Sequence, residues 1–151
     1  MRSFLTKCVA AAILAFGITC SALAETPESL PGATLVTAEE VLKMQAAGML
    51  VIDARIASEY ADAHIKGAIS IPYREKSEKS VTFDAGQDEF ALAKLPADKA
   101  TPMIIYCNGP ECWKSFKAST AAIKNGYSKI YWYRAGFPDW RAKGFPTEAT
   151  E

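Results

Sequence analysis

Apolar and polar positions fall in blocks along this chain, and each block predicts its own element. Met49-Leu50-Val51-Ile52 and Met103-Ile104-Ile105-Tyr106 are unbroken apolar runs. Short runs with no polar position predict strands covered on both faces, as in a parallel sheet. Residues 34–36, 68–71 and 129–133 are further strand candidates, the second ended by Pro72. Helical patterns lie between them. Thr37-Ala38-Glu39-Glu40 is a capping-box sequence that predicts a helix to about Ala47, stopped by Gly48. Ser58 is placed to cap a short helix through Ala63. Residues 88–95, 115–125 and 137–142 predict three more helices, with turns at Gly67, Gly126 and Ala135-Gly136. Residues 73–86 mix charges of both signs and read as an exposed excursion. Strands alternating with helices predict an α/β fold: a parallel sheet of about five strands with helices on both faces.

The N-terminal stretch departs from this alternation. Arg2 and Lys7 form a positive segment ahead of an apolar run, Cys8 to Cys20, that is short for a membrane span, and Ala22-Leu23-Ala24 has the small-x-small form of a cleavage site. This order predicts a signal peptide over 1–24, cleavage after Ala24, and a periplasmic or secreted mature protein with no stable membrane insertion. Residues 25–33 hold two prolines and a glycine and predict a linker; 34–147 then form one domain. The whole chain is 50% hydrophobic and 23% charged, with zero net charge. No basic stripe is present, so a nucleic-acid partner is not expected.

Cleavage also removes Cys8 and Cys20, leaving Cys107 and Cys112 of the four cysteines. With a single histidine and no Cys-x-x-Cys pair, too few ligands remain for a zinc site, and no metal is expected. Both remaining cysteines lie in Tyr106-Cys107-Asn108-Gly109-Pro110-Glu111-Cys112-Trp113-Lys114-Ser115. A strand delivers Cys107 to its C-terminal end, a Gly-Pro loop follows, and a helix begins. That order aims backbone N–H groups and the positive end of a helix at one sulfur, stabilising a thiolate and any anion beside it. Cys107 is therefore a candidate nucleophile; the plainer alternative is a small buried hydrophobe. In an oxidising compartment Cys112 is either its disulfide or resolving partner or a packed loop residue. Ligands of parallel sheets sit at the carboxyl ends of strands, so Asp53 and Arg55, following the run 49–52, join the site as a supporting ion pair. Trp113 either walls the pocket or packs under the loop. Glu111 disfavours a neighbouring thiolate and is expected to face solvent or pair with Lys114. Trp132, Tyr133 and Trp140 are expected to be core or rim aromatics.

Three stretches together resemble the single-domain rhodanese family of sulfurtransferases. The first runs Val51-Ile52-Asp53-Ala54-Arg55 and then Glu59-Tyr60-Ala61-Asp62-Ala63-His64-Ile65-Lys66-Gly67-Ala68-Ile69-Ser70-Ile71-Pro72. The second is the cysteine strand and loop. The third runs from Gly126-Tyr127 to Arg134-Ala135-Gly136-Phe137-Pro138-Asp139-Trp140. The resemblance implies a rhodanese-like sheet of about five parallel strands and a two-step transfer without cofactor. In that reaction Cys107 takes a sulfane sulfur from a donor such as thiosulfate and passes it from a persulfide to a thiophilic acceptor. The loop residues Asn108, Gly109, Pro110, Glu111, Cys112, Trp113 and Lys114 would surround the substrate, with loop amides acting on the charged sulfur as an oxyanion hole does. Ser115 would open the next helix. The resemblance places His64 in a structural motif beside the sheet.

The match also departs from the family. Where family loops often carry an arginine five residues after the cysteine, this chain has Cys112, and Lys114 comes seven after. The loop is thus two residues longer, and lysine lacks the bidentate fork of arginine. Two other functions fit the residues. One is a periplasmic thiol–disulfide or redox-sensing protein using Cys107 and Cys112; the other is a non-catalytic binding module. Expected partners are a small sulfur-containing anion or thiol substrate and a redox or sulfur-acceptor protein.

Overall fold

The computed structural model describes residues 24–150. The signal-peptide expectation lies outside them apart from Ala24. Five strands form one parallel sheet. Its order is β1 (Ala33–Leu35), β8 (Ile130–Tyr133), β7 (Met103–Tyr106), β2 (Leu50–Asp53) and β4 (Ile69–Ser70). The two apolar runs of the sequence are neighbours at its centre, with Asp53 paired to Tyr106 and Tyr106 to Tyr133. They need no polar positions because both faces are covered. On one face α1 (Ala38–Ala46) and α4 (Gly136–Ala142) bury Val41, Phe137 and Trp140 against Val51, Ile104 and Tyr106. On the other, α3 (Trp113–Lys124) buries Ala118 and Ala122 against Ile52, Ile105 and Met103. The Thr37 capping box forms as written: Thr37 Oγ1 accepts from the Glu40 amide and the Glu40 carboxylate accepts from the Thr37 amide.

Several elements differ from the sequence pattern. The helix α2 (Ala57–Asp62) starts one residue before Ser58, with Ile56 at its N-cap and no side-chain cap. Its position is set by Arg55, whose guanidinium is held by Asp53 and donates 2.7 Å to the carbonyl of Ala63 at the far end of the helix. The chain then forms β3 (His64–Ile65), which pairs antiparallel with β9 (Thr147–Glu148). Residues 88–95 are not an α-helix. Glu89–Phe90 is strand β6, paired antiparallel with β5 (Tyr73–Arg74), and Leu92–Lys94 is a single 3₁₀ turn. The excursion 73–86 is not simply exposed either, because Tyr73, Ser77 and Phe83 are buried. Residues 25–33 do not hang free as a linker. Thr26 is buried, and Leu30 packs into a cluster with Phe83, Trp113, Phe116 and Trp132.

The excursion is pinned by a polar network beneath α3. Lys117, fully buried, reaches Ser77 Oγ at 2.7 Å, the Ser77 carbonyl at 3.2 Å and Glu75 at 3.0 Å. Asp88 accepts from the Tyr73 hydroxyl, the Lys76 and Ser77 amides and Ser77 Oγ at 2.6–2.8 Å. Burial by itself raises the Asp88 pKa, but these hydrogen bonds outweigh it and hold the carboxyl well below the usual carboxylate range. A folded pKa below the unfolded one means the stabilisation is whole above the ordinary aspartate pKa of about 3.9 and is lost as the pH falls beneath it. Asp88→Asn is expected to be less stable than wild type at neutral pH and to converge with it in acid. Urea titrations across pH check this; a constant gap would refute it.

Candidate active site

Cys107 is the first residue after central strand β7 and is 1% exposed. Helix α3 begins at Trp113, two residues earlier than the serine signal suggested, so Ser115 is the third helical residue and not the first. Cys112 holds the N-cap position and makes no side-chain cap bond. The helix's third amide finds its acceptor elsewhere: Ser115 N–H points at Cys107 Sγ, 3.3 Å away. The sulfur of Cys107 thus does the work that an N-cap oxygen does in other helices. Ser115 Oγ lies 3.1 Å from the same sulfur. Trp132 Nε1 is 3.0 Å from Ser115 Oγ and can only donate, so the serine proton is left for Sγ. On the other side the Cys112 carbonyl lies 3.1 Å from Sγ. Two donors against one acceptor favour the thiolate over the thiol.

The loop between the cysteines is curled. Gly109 has φ +108°, and the Cys112 amide donates 3.0 Å to the Gly109 carbonyl. That amide is therefore not part of a cradle around the sulfur; among the described residues, the backbone donor reaching Sγ is Ser115. The curl brings Cys112 back onto Cys107. The Cα atoms are 6.3 Å apart and the two sulfurs are joined as a disulfide. The turn at Gly136 supports the loop from below. Phe137 N–H donates 2.9 Å to the Cys107 carbonyl, and a Cβ on Gly136 would stand 2.6 Å from the Gly109 nitrogen. Ala135, before it, has ordinary helical angles.

Asp53 and Arg55 form a buried bidentate pair with contacts of 2.6–3.0 Å. Their remaining bonds go to structure. Tyr106 OH donates to Asp53 and accepts from the Ile65 amide, while the Arg55 guanidinium stacks 4.1 Å over Phe137. Burial first, and the Asp53 charge second, push the Tyr106 phenol far up, so it stays protonated and donates. The pair thus supports β7 and the Gly136 turn from beside the loop. His64 is likewise tied down, with Nδ1 2.7 Å from the Tyr60 carbonyl and its ring stacked on Tyr60.

Two of the clefts that touch the loop share Asn108, which donates 2.6 Å to Glu59. The larger, about 640 Å³, is lined by Arg55, Glu59, Asp62, Phe137 and Arg141 and meets the loop only through Asn108. The smaller, about 240 Å³, is lined by Cys112, Trp113, Lys114, Glu111, Glu75 and Lys79. It is the one lined by a cysteine, Cys112. Glu111 is exposed, and Trp113 is buried edge-on against Phe116.

Two contributions were not visible from the sequence. One is Trp132, whose place on β8 beneath α3 turns a core aromatic into the group that orients Ser115. Trp132→Phe keeps the ring and removes the donor. It is expected to slow alkylation of reduced Cys107, because Ser115 Oγ is then free to turn its proton away from Sγ. Iodoacetamide alkylation rates at neutral pH, compared in the Cys112→Ser background, check this; an unchanged rate would refute it. The other is the N-terminal strap. The Thr26 amide and hydroxyl both donate 2.8 Å to the Pro110 carbonyl; Trp113 Nε1 donates 2.8 Å to the carbonyl of Ala24, a contact that cleavage after Ala24 would remove. Arg134 clamps the strap, donating to the Thr26 carbonyl at 2.6 Å and to its hydroxyl at 3.1 Å. Thr26→Val is expected to cost about 1–2 kcal/mol and to speed amide exchange in 108–112. Unchanged exchange there would show that the strap does not hold the loop.

Comparison with known proteins agrees with this architecture. Residues 37–143 match the family model described as Rhodanese-like domain, and the chain belongs to that family. Among curated relatives, the Thiosulfate:glutathione sulfurtransferase of Saccharomyces cerevisiae is 28% identical over 96 residues, 64% of this chain and 67% of the yeast protein. The HTH-type transcriptional regulator Rv0324 of Mycobacterium tuberculosis is 29% identical over 114 residues, but this chain spans only 44% of its length. Among solved structures, the BH2092 protein of Bacillus halodurans superposes with a TM-score of 0.58 at 25% identity, covering 78% of each chain. The Thiosulfate sulfurtransferase of Pseudomonas aeruginosa superposes at 0.57 and 22% identity over 79% of this chain and 21% of that one, a likeness of fold.

Proposed function

We propose that this domain is an exported sulfurtransferase that carries sulfane sulfur as a persulfide on Cys107. The observation that carries the reading is the environment of one sulfur. Cys107 Sγ sits at the end of the central strand and receives the amide and the hydroxyl of Ser115, the latter fixed by Trp132. In the reduced loop the Cys107 thiolate attacks the outer sulfur of thiosulfate. The donor's S–S bond breaks, sulfite leaves with the electron pair, and a persulfide remains. An acceptor thiolate or cyanide then attacks the outer sulfur and returns Cys107 to the thiolate. Thiosulfate is the candidate donor because the yeast relative's name includes it; in the smaller cleft Lys79 and Lys114 offer charge to a small dianion, against Glu75 and Glu111 in the same lining. Glutathione, in the same name, is a candidate acceptor. Asp53 and Arg55 act here as positioning residues, holding the strand and turn that fix Cys107.

The test is steady-state kinetics of reduced Cys112→Ser, which cannot close the disulfide, with thiosulfate and cyanide. Parallel double-reciprocal lines are expected, as for a covalent intermediate formed before the acceptor binds. Intersecting lines, or no thiocyanate, would refute it.

A second reading, thiol–disulfide exchange, is favoured by one specific observation: Cys112 is bonded to Cys107 and lines the cleft. It predicts dithiol–disulfide exchange activity in the absence of any sulfane donor.

A further inference from the structure

The two sulfurs are not equivalent. Cys107 is 1% exposed, whereas Cys112 is partly exposed and lines the smaller cleft with Lys79 and Lys114. Cys112 stands at the N-cap of a twelve-residue helix, whose positive end and nearby Lys114 favour the charge that builds on its sulfur as it gives up its proton, against the neighbouring Glu111 carboxylate. The loop brings that sulfur onto Sγ of Cys107 itself. A simple transferase has no use for this arrangement, since the acceptor attacks the outer sulfur of the persulfide and Cys112 is placed against the inner one.

We propose that the domain is also a sulfane-sulfur reductase, in which Cys112 discharges the Cys107 persulfide as sulfide and an external dithiol reopens the resulting disulfide. This rests on the persulfide reading above. The sulfur of Cys112 bonds to Sγ of Cys107, and the bond from Sγ to the outer sulfur breaks. The outer sulfur leaves with the electron pair and takes the Cys112 thiol proton, departing as hydrosulfide. The two cysteines are oxidised to the disulfide and the sulfane sulfur is reduced to sulfide. Because Cys112 is held in the same loop, its effective concentration exceeds that of dilute external thiols.

Reopening follows the same asymmetry. A reductant entering the cleft meets Cys112, because Sγ of Cys107 is buried. Its thiolate bonds to the Cys112 sulfur and expels Cys107 as a thiolate, which the two Ser115 donors are already placed to receive. A second thiol of the same reductant then breaks the mixed disulfide, returning Cys112 to the thiol and leaving the reductant oxidised. The balance over one cycle is thiosulfate plus a dithiol giving sulfite, sulfide and a cyclic disulfide. The partner is thus of the dithiol class and acts after the sulfur has left.

The experiment is a single turnover without oxygen. Reduced protein freed of reductant is mixed with excess thiosulfate and no acceptor. Wild type is expected to release one sulfite and one sulfide per chain and to end two hydrogens lighter than the reduced protein. Cys112→Ser, and Cys112→Ala as a second variant, are expected to release sulfite without sulfide and to gain the mass of one sulfur. Wild type that keeps the added sulfur and releases no sulfide overturns the reductase while leaving the persulfide in place. No sulfite and no added sulfur in any of the proteins overturns the persulfide reading and the reductase with it.

Discussion

Lys117→Ala is expected to destabilise the domain by about 3–5 kcal/mol, the range for breaking a buried ion pair by removing one partner. The ammonium is fully buried and faces groups from the excursion and from Asp88 just after it: Glu75 at 3.0 Å, Asp88 at 3.7 Å, Ser77 Oγ at 2.7 Å and the Phe83 ring at 5.0 Å. Without it, the Asp88 side chain, 1% exposed, and Glu75, 13% exposed, remain beneath α3 with no compensating charge. Ser77 Oγ would still donate to Asp88 but would lose its own donor. Equilibrium urea unfolding of oxidised protein measures the loss. The same network sets the wall of the smaller cleft, since Glu75 and Lys79 lie on the excursion that Lys117 pins. Folded Lys117→Ala should therefore also show faster amide exchange in 73–90. A loss below about 1 kcal/mol would mean that the network breaks even against its desolvation.

Cys107→Ser is expected to lower thiosulfate-dependent turnover by at least about a thousandfold. A serine hydroxyl stays protonated at neutral pH. The same amide, hydroxyl and helix terminus that stabilise a thiolate cannot make an alkoxide. The substitution keeps nearly the same volume, and a hydroxyl at that position still accepts from the Ser115 amide, so the fold should survive apart from the lost disulfide. Comparison with Cys112→Ser, which loses the same disulfide, separates loss of the nucleophile from loss of the cross-link. Turnover within tenfold of wild type would remove Cys107 from the reaction.

The core of the fold was legible because it is local. Two runs of four apolar residues became the two central strands, and the Thr37 capping box formed where its spacing placed it. Cys107 at a strand's end, with Asp53 and Arg55 paired nearby, followed from the same periodicity. What escaped was non-local. The start of α3 was misplaced because Cys112 is not a capping residue type, and the acceptor for Ser115 N–H comes from Cys107, eight residues back. The polar excursion looked solvated because its anchor, Lys117, lies forty residues on from Ser77 in a helix whose sequence gives no sign of burying a charge. Residues 25–33 looked like a tether from their prolines, yet Thr26 pairs with Pro110 and Arg134 from across the chain. In the last two cases the partner is far away in sequence and no local window contains both; in the first it lies in the same loop, but only the curl of that loop brings the sulfur to the amide.

The central claim, a persulfide on Cys107, is tested most directly by locating the sulfur. Reduced Cys112→Ser, in which the adduct has no neighbouring thiol to discharge it, is treated with thiosulfate labelled in its outer sulfur. It is then blocked, digested and mapped by mass. The account predicts one labelled sulfur on the peptide carrying Cys107, removed by cyanide as labelled thiocyanate. An unlabelled Cys107 peptide, or label held at another residue, would contradict it.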